Sequence, residues 1–455
     1  MKPAEPQSDY STRLEEEQRF YKACAKVHDL PDIFHYWSNM YVRPKLEAVG
    51  LEGSTDFFYH PLRIQCERNT GRCVRFLSIG SGNCDVEIEI AAKLLAAGQP
   101  RFVIDCLELN EAMLARGRLA ATSQGVSEQL DFITADFNQW SPTREYDGVI
   151  AIQALHHVVN LEGLFAGIKQ SLMRTGCFVI SDMIGRNGHM RWPEALPVIH
   201  EFWRKLPPSY RYNHQLRRYE ESFEDWDCSQ EGFEGIRSQD ILPLLVERFH
   251  FKQFVAYANV IAPFVDRSFG HNFDAAAAWD RAFIDQVHRR DEELLLRGTI
   301  KPTQMLAILG TEAAEPTRFL EPFSPPFCVR WPGVTGEDQK ATDAQTAKTR
   351  KEDERAQGAY EWHSWPHSAQ RELEIACSRL AEKEAYARRQ YQEILQEFDQ
   401  RTAWALQLDK ELGDTRALVA RLNQELQEKR GPLARWLRRG WQLLKRARAA
   451  LQRRL

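Results

Sequence analysis

Between Val74 and Gly310 the chain alternates short apolar runs with stretches of helical spacing. The runs are VRFLSI from Val74, FVIDCLELN from Phe102, LDFITADF ending in Asp136-Phe137, YDGVIAIQALHHV from Tyr146 and GCFVISDMIG from Gly176. Apolar runs of strand length separated by helical intervals predict a parallel sheet covered by helices, an α/β fold. A helix around Ile241 to Arg248, a strand around Phe251 to Ala258, a helix ending at Gly298 and a strand QMLAILG follow, so this domain is expected to close near Gly310. Residues 1–73 show three- and four-residue apolar spacings punctuated by Pro31, Pro44 and Gly50, which predicts a helical N-terminal cap.

After Gly310 the pattern changes. Residues 311–368 are rich in Pro, Thr, Glu, Asp and Lys without a period and predict a linker. Steps of four and three then run from Leu373 through Leu380, Ile394, Phe398, Leu408, Leu412, Val419 and Leu422 to Leu426, predicting a coiled coil over 369–430 and a homo-oligomer joined through 373–426. Gly431-Pro432 ends it. From Pro432 to Leu455, Trp436, Leu437, Trp441, Leu444 and Leu451 lie on one stripe among eight Arg or Lys, the features of a basic amphipathic helix on an anionic membrane surface. Nucleic acid is the competing partner for such a charge block, and the tryptophans argue against it.

Charge sharpens this division. The 455 residues carry a net charge of −4, yet the last 24 hold no Asp or Glu, so the preceding 431 carry −12. No run of membrane-spanning length occurs and the polar N-terminus does not read as a secretory signal, which places the protein in the cytoplasm, peripheral on the inner face of the cell membrane. Nine cysteines without CxxC pairs fit reduced thiols better than disulfides or a zinc site, and no metal ligands are expected.

The candidate chemistry sits at the strand ends. Gly80-Ser81-Gly82 joins the first run to a helix, a place where backbone can approach a ligand and free N–H groups face it. Glu108 ends the second run, 26 residues beyond Gly82, where a carboxylate accepts from both hydroxyls of a ribose. Asp136 beside Phe137 suits an adenine, which offers an amino group and a flat face. Asp85 opens the following helix, where a carboxylate meets either the helix dipole or the α-amino group of a ligand. His156 and His157 close the fourth run, where imidazole has the pKa to take a proton from a hydroxyl, or serves loop structure. Residues 186–245 lose clean periodicity and predict a substrate lid, with His189, Arg191 and Tyr210 as preferred contacts to a polyol or anion. Tyr36, Tyr41 and Arg43 in the cap either pack there or close the cofactor pocket.

In order, spacing and residue type, Val74 to Gly185 resembles the class I S-adenosylmethionine-dependent methyltransferases. The resemblance implies a Rossmann-like seven-stranded sheet, S-adenosyl-L-methionine as cofactor, and contacts to it from Gly80, Ser81, Gly82, Asp85, Glu108, Leu109, Asp136, Phe137 and Gln153. Two positions depart from the family pattern: Ser78 stands where an acidic residue is usual and Cys84 where a third glycine is usual. An NAD-binding domain would place its third glycine where Asp85 stands. The full layout is similar to bacterial enzymes that modify surface polysaccharides beside the membrane, which implies O-methylation of a sugar in a lipid-linked or surface glycan and neighbouring glycosyltransferases as partners. The alternatives are a membrane scaffold built on an inactive methyltransferase fold, and methylation of another small molecule or of nucleic acid.

Overall fold

The computed structural model describes residues 7–23, 30–50, 54–230, 232–313 and 316–330, with single positions at 421, 439, 440, 442, 445 and 446. The chain divides into two compact units, Met1–His363 and Ser364–Leu455, and the fold described below belongs to the first. The expected coiled coil and basic C-terminal helix, apart from those single positions, and residues 331–368 of the expected linker lie outside the described residues.

Among the described residues nine strands form in chain order: β1 Val74–Ile79, β2 Phe102–Glu108, β3 Leu130–Thr134, β4 Tyr146–Ile152, β5 Leu172–Met183, β6 Tyr212–Asn213, β7 Arg218–Tyr219, β8 His250–Tyr257 and β9 Gln304–Gly310. Seven make one sheet in the order β3-β2-β1-β4-β5-β9-β8, while β6 and β7 pair as a short hairpin. The first five strands run parallel, and β9 lies antiparallel between β5 and β8. This is the Rossmann-like sheet that the strand pattern implies. Strand order reverses between β1 and β4, so the carboxyl ends of these two strands open the crevice where such sheets take ligands.

The strands are apolar throughout because helices cover them. Phe57, Phe58 and Leu62 of α4 (Ser54–Arg68), Ile88, Ala91 and Leu94 of α5 (Asp85–Ala96) and Leu114 of α6 (Glu111–Ser123) share one core with Phe76, Ile104 and Ile150. At about 1.5–3 kcal/mol for each fully buried large apolar side chain, this packing holds the strand ends in place. Charge marks the strands' other end: Arg72 pairs with Asp147 and Arg75 with Asp105 and Asp131.

One open alternative is resolved, and two expectations are corrected. The cap helix Asp32–Trp37 continues through a π-helical stretch, Ser38–Val42, into Arg43–Ala48, and docks on the long helix Ala278–Leu296. There Tyr36 donates to Asp285 at 2.9 Å, the Tyr41 ring lies 3.8 Å from that of His288, and Arg43 pairs with Glu47. These groups therefore pack within the cap and on that helix, and none is brought to the glycine loop. The first unit also continues past Gly310. Arg318 bridges to Gln253 of β8, Phe323, Cys328 and Val329 are buried, and Arg330 pairs with Glu194. Finally, the 186–245 segment is a packed body rather than a loose lid: Phe202 and Trp203 of the helix Leu196–Lys205 are buried against Phe264, Phe269 and Phe283.

Candidate active site

The glycine loop begins where β1 ends. Gly80 sits at φ +66°, and a Cβ there would stand 2.7 Å from the Cβ of Ala154, so the loop lies directly against the end of β4. Only glycine fits both the left-handed backbone and that approach. Cys84 also takes left-handed φ, at 60°, before α5 begins. A buried cysteine thus makes the turn that the family usually gives to glycine. The second departure has a counterpart too: Ser78 donates to Glu87 across 2.5 Å, so a carboxylate from α5 reaches the serine that stands at the usual acidic position.

Glu108 clasps the loop from β2. Its Oε2 accepts from the Gly82 N–H at 2.9 Å and its Oε1 from the Asn110 N–H at 2.9 Å. Burial raises its pKa while these N–H groups, with that of Leu109, pull the other way. Asp136 lies past β3, accepting from the Asn138 N–H and from Gln139 at 2.9 Å, and from the Tyr10 hydroxyl at 2.6 Å. Phe137 is buried, Ser81 is half-buried and Asp85 is exposed at the start of α5. Gln153 has φ 49° just past β4 and donates to the Ser181 hydroxyl at 3.3 Å.

The histidines stand on the other side of the Gly80–Ala154 contact. His156 Nδ1 lies 2.7 Å from Asp182 Oδ1, and its Nε2 lies 3.5 Å from Glu234 Oε1. Asp182, fully buried at the end of β5, also accepts from the N–H groups of Ala154, Leu155 and Met183. Burial disfavours a charged His156, but the two carboxylates outweigh it and raise its pKa to about 10. His189 Nε2 lies 2.7 Å from Glu234 Oε1, and burial lowers its pKa. For Glu234 burial opposes ionisation, yet the surrounding imidazoles hold its pKa well below the usual carboxylate range. His157 Nδ1 lies 2.8 Å from Glu17 Oε1, off the line of a good hydrogen bond, and its Nε2 lies 3.5 Å from both Tyr21 Oη and Glu234 Oε2.

The N-terminal helix α1, Gln7–Ala23, spans both halves of the site. Tyr10 reaches Asp136, the Gln18 carbonyl accepts from Asn110, Glu17 meets His157, and Tyr21 donates to Glu234 at 3.3 Å. Arg13 holds the helix to the carbonyls of Ser229 and Gly232.

Of the expected substrate contacts, only His189 joins this cluster. Tyr210 instead donates to Asp280 at 2.8 Å and packs on Phe273 and Trp279, a structural place. Arg191 donates its backbone N–H to Asp225, and its guanidinium Nε is buried without a hydrogen bond. Sequence reasoning missed Glu17, Tyr21, Asp182 and Glu234. Asp182 carried a usable signal, an acid ending an apolar strand beside the His-His strand. Glu234, in GFEGI, carried none, because only tertiary folding brings it to the histidines.

A sequence profile described as a methyltransferase domain matches residues 77–178, from within β1 to within β5. The chain carries a methyltransferase domain. The matched span includes the glycine loop, Glu108, Asp136, His156 and His157. A sterol 24-C-methyltransferase of Gibberella zeae is 32% identical over 79 residues, which is 17% of this chain and 21% of that protein. The chain thus matches about a fifth of the length of that curated relative. Among solved structures, an O-methyltransferase of a trans-AT polyketide synthase multienzyme from Brevibacillus brevis, in complex with S-adenosyl-L-homocysteine, is 15% identical, covers 55% of this chain and 71% of its own, and has a TM-score of 0.31. An S-adenosylmethionine-dependent methyltransferase from Clostridium acetobutylicum is 15% identical, covers 34% and 62%, and has a TM-score of 0.24. Among the described residues no helix of the methyltransferase domain, or of the segments around it, is long and apolar enough to cross a membrane.

Proposed function

We propose that the protein transfers a methyl group from S-adenosyl-L-methionine to a hydroxyl of a sugar in a lipid-linked or surface glycan. What carries this reading is the contact of Gly80 with Ala154, which sets the glycine loop against the strand end bearing His156 and His157. S-adenosyl-L-methionine, when bound, supplies an electrophilic methyl group on a sulfonium centre. Glu108 is placed to accept from its ribose hydroxyls, Asp136 from its adenine amino group, and Asp85 to meet its α-amino group. On the acceptor side, His157, with the Glu17 carboxylate 2.8 Å from its Nδ1, takes the hydroxyl proton. With the cofactor bound, these residues would hold the acceptor oxygen in line with the sulfonium methyl group, and positioning does most of the remaining work. His156, engaged by carboxylates at both ring nitrogens, orients the site.

The proposal extends to the rest of the chain. Residues 373–426 join protomers and 432–455 rest on the anionic inner face of the cell membrane, which brings the domain to lipid-linked acceptors and to glycosyltransferases that build them. The supporting features are the heptad spacing and the tryptophan-bearing basic stripe.

The test is transfer of labelled methyl from S-adenosyl-L-methionine to a panel of water-soluble oligosaccharides. Transfer to a sugar hydroxyl is expected, with His157→Ala lowering turnover by about 10²–10⁴ while cofactor affinity stays the same. Label transferred to RNA or DNA and to no glycan contradicts the substrate assignment. Full turnover in His157→Ala removes the base assignment.

A further inference from the structure

We propose that His156, His189 and Glu234 form a binding site for a divalent transition-metal ion, placed to take the acceptor hydroxyl as a further ligand. Its catalytic consequence rests on the methyltransferase reading; the site itself does not.

The geometry comes first. One ligand atom from each of the three residues falls within 4.8 Å of the others. His189 Nε2 and His156 Nε2 lie 2.7 and 3.5 Å from the same Glu234 oxygen. An ion held at about 2.0–2.1 Å by nitrogen and oxygen ligands spaces neighbouring ligands at about 2.9–3.5 Å. Small side-chain adjustments therefore suffice to admit one.

The surroundings add an independent argument. A metal-ligating histidine gives its other ring N–H to a carboxylate or carbonyl, which fixes the tautomer and aims the free nitrogen. His156 Nδ1 lies 2.7 Å from Asp182, and Asp182 is itself fixed by three backbone N–H groups. The Tyr21 hydroxyl holds the second oxygen of Glu234. Three carboxylates, of Glu17, Asp182 and Glu234, converge on three imidazoles here. A divalent cation that displaces the His156 proton to solvent balances most of that negative charge.

The donor set also selects the ion and leaves it open. Two imidazoles and one carboxylate suit Zn²⁺, Mn²⁺ or Fe²⁺ better than Mg²⁺ or Ca²⁺, and such a set leaves coordination positions vacant. Glu234 is half-buried, with 35% of its side chain accessible against 4% for His156, so the accessible side of the site is the one from which an acceptor arrives. Coordination of the acceptor oxygen lowers the pKa of its hydroxyl. The proton then passes to His157, the oxygen takes the methyl group, and the demethylated cofactor leaves.

Full-length protein is stripped with dipicolinate, dialysed against Zn²⁺, Mn²⁺ or Co²⁺ and analysed for bound metal by mass spectrometry. We expect one ion per chain. His189→Ala and Glu234→Gln should abolish stoichiometric binding, Asp182→Asn should weaken it about 10–100-fold, and His200→Ala should not change it. Melting temperature and affinity for S-adenosyl-L-homocysteine, measured on the same samples, verify that the variants are folded. Parent protein that dialyses free of metal, or folded variants that keep their ion, overturns the site. Metal binding without cofactor binding would sink the methyltransferase reading and leave the site standing; cofactor binding without metal does the reverse.

Discussion

Tyr10 donates its hydroxyl to Asp136 across 2.6 Å, filling from α1 the acceptor position assigned to the adenine amino group. Under the proposed assignment, the hydroxyl and the adenine amino group compete for this carboxylate, whose Oδ2 already accepts from both Tyr10 and Gln139. Tyr10→Phe keeps the ring and its packing on Phe233. Removing a hydrogen bond worth about 0.5–1.5 kcal/mol should tighten S-adenosyl-L-homocysteine binding roughly two- to ten-fold in calorimetry. Weaker binding in the variant would show that Tyr10 helps to hold the ligand instead of excluding it.

Glu87 links the same loop to stability against pH. Burial pushes its carboxyl up to about 7 from the ordinary 4.5, although the Ser78 hydroxyl favours ionisation. The folded chain therefore binds this proton more tightly than the unfolded chain. Its contribution is complete below pH 4.5 and is lost as pH rises through 7. Glu87→Gln removes that loss. In urea unfolding the variant should gain on its parent between pH 4.5 and pH 8, by up to about 3 kcal/mol. A difference that does not change with pH would contradict a buried, proton-binding Glu87.

The C-terminal proposal is tested apart from the fold. Truncation after Arg430 should abolish sedimentation with anionic liposomes and leave methyl transfer to a soluble acceptor intact. Trp436→Ser with Trp441→Ser keeps all eight positive charges of 432–455. It should release the protein from liposomes, since two large apolar anchors are lost. Liposome binding that persists, together with tight salt-sensitive RNA binding, would reassign the tail to nucleic acid.

What could be read from the chain follows from what is local. The strands of the sheet announce themselves as apolar runs, and Gly80, Glu108 and Asp136 stand at strand ends set by sequence distance alone, so their grouping around the glycine loop was legible. The histidine cluster was not. Glu234 meets His156 and His189 only because the 186–245 segment folds back over the sheet, and α1 adds Glu17 and Tyr21 from more than a hundred residues away. Tyr210 misled because an aromatic hydroxyl that caps Asp280 has the same composition signature as one facing a sugar. The domain end misled as well: the Pro-rich 316–330 segment reads as linker, yet Phe323 and Val329 fill the edge of the fold beside β8.

Calorimetry of the purified protein with S-adenosyl-L-homocysteine, run beside Glu108→Ala, tests the central claim most directly. The account predicts one binding event per chain in the parent. In the variant binding should weaken by about 1.5–3 kcal/mol, as charge-assisted hydrogen bonds to the ribose are lost. No heat with the parent, or equal affinity in the two proteins, would contradict a cofactor site built on the glycine loop and Glu108.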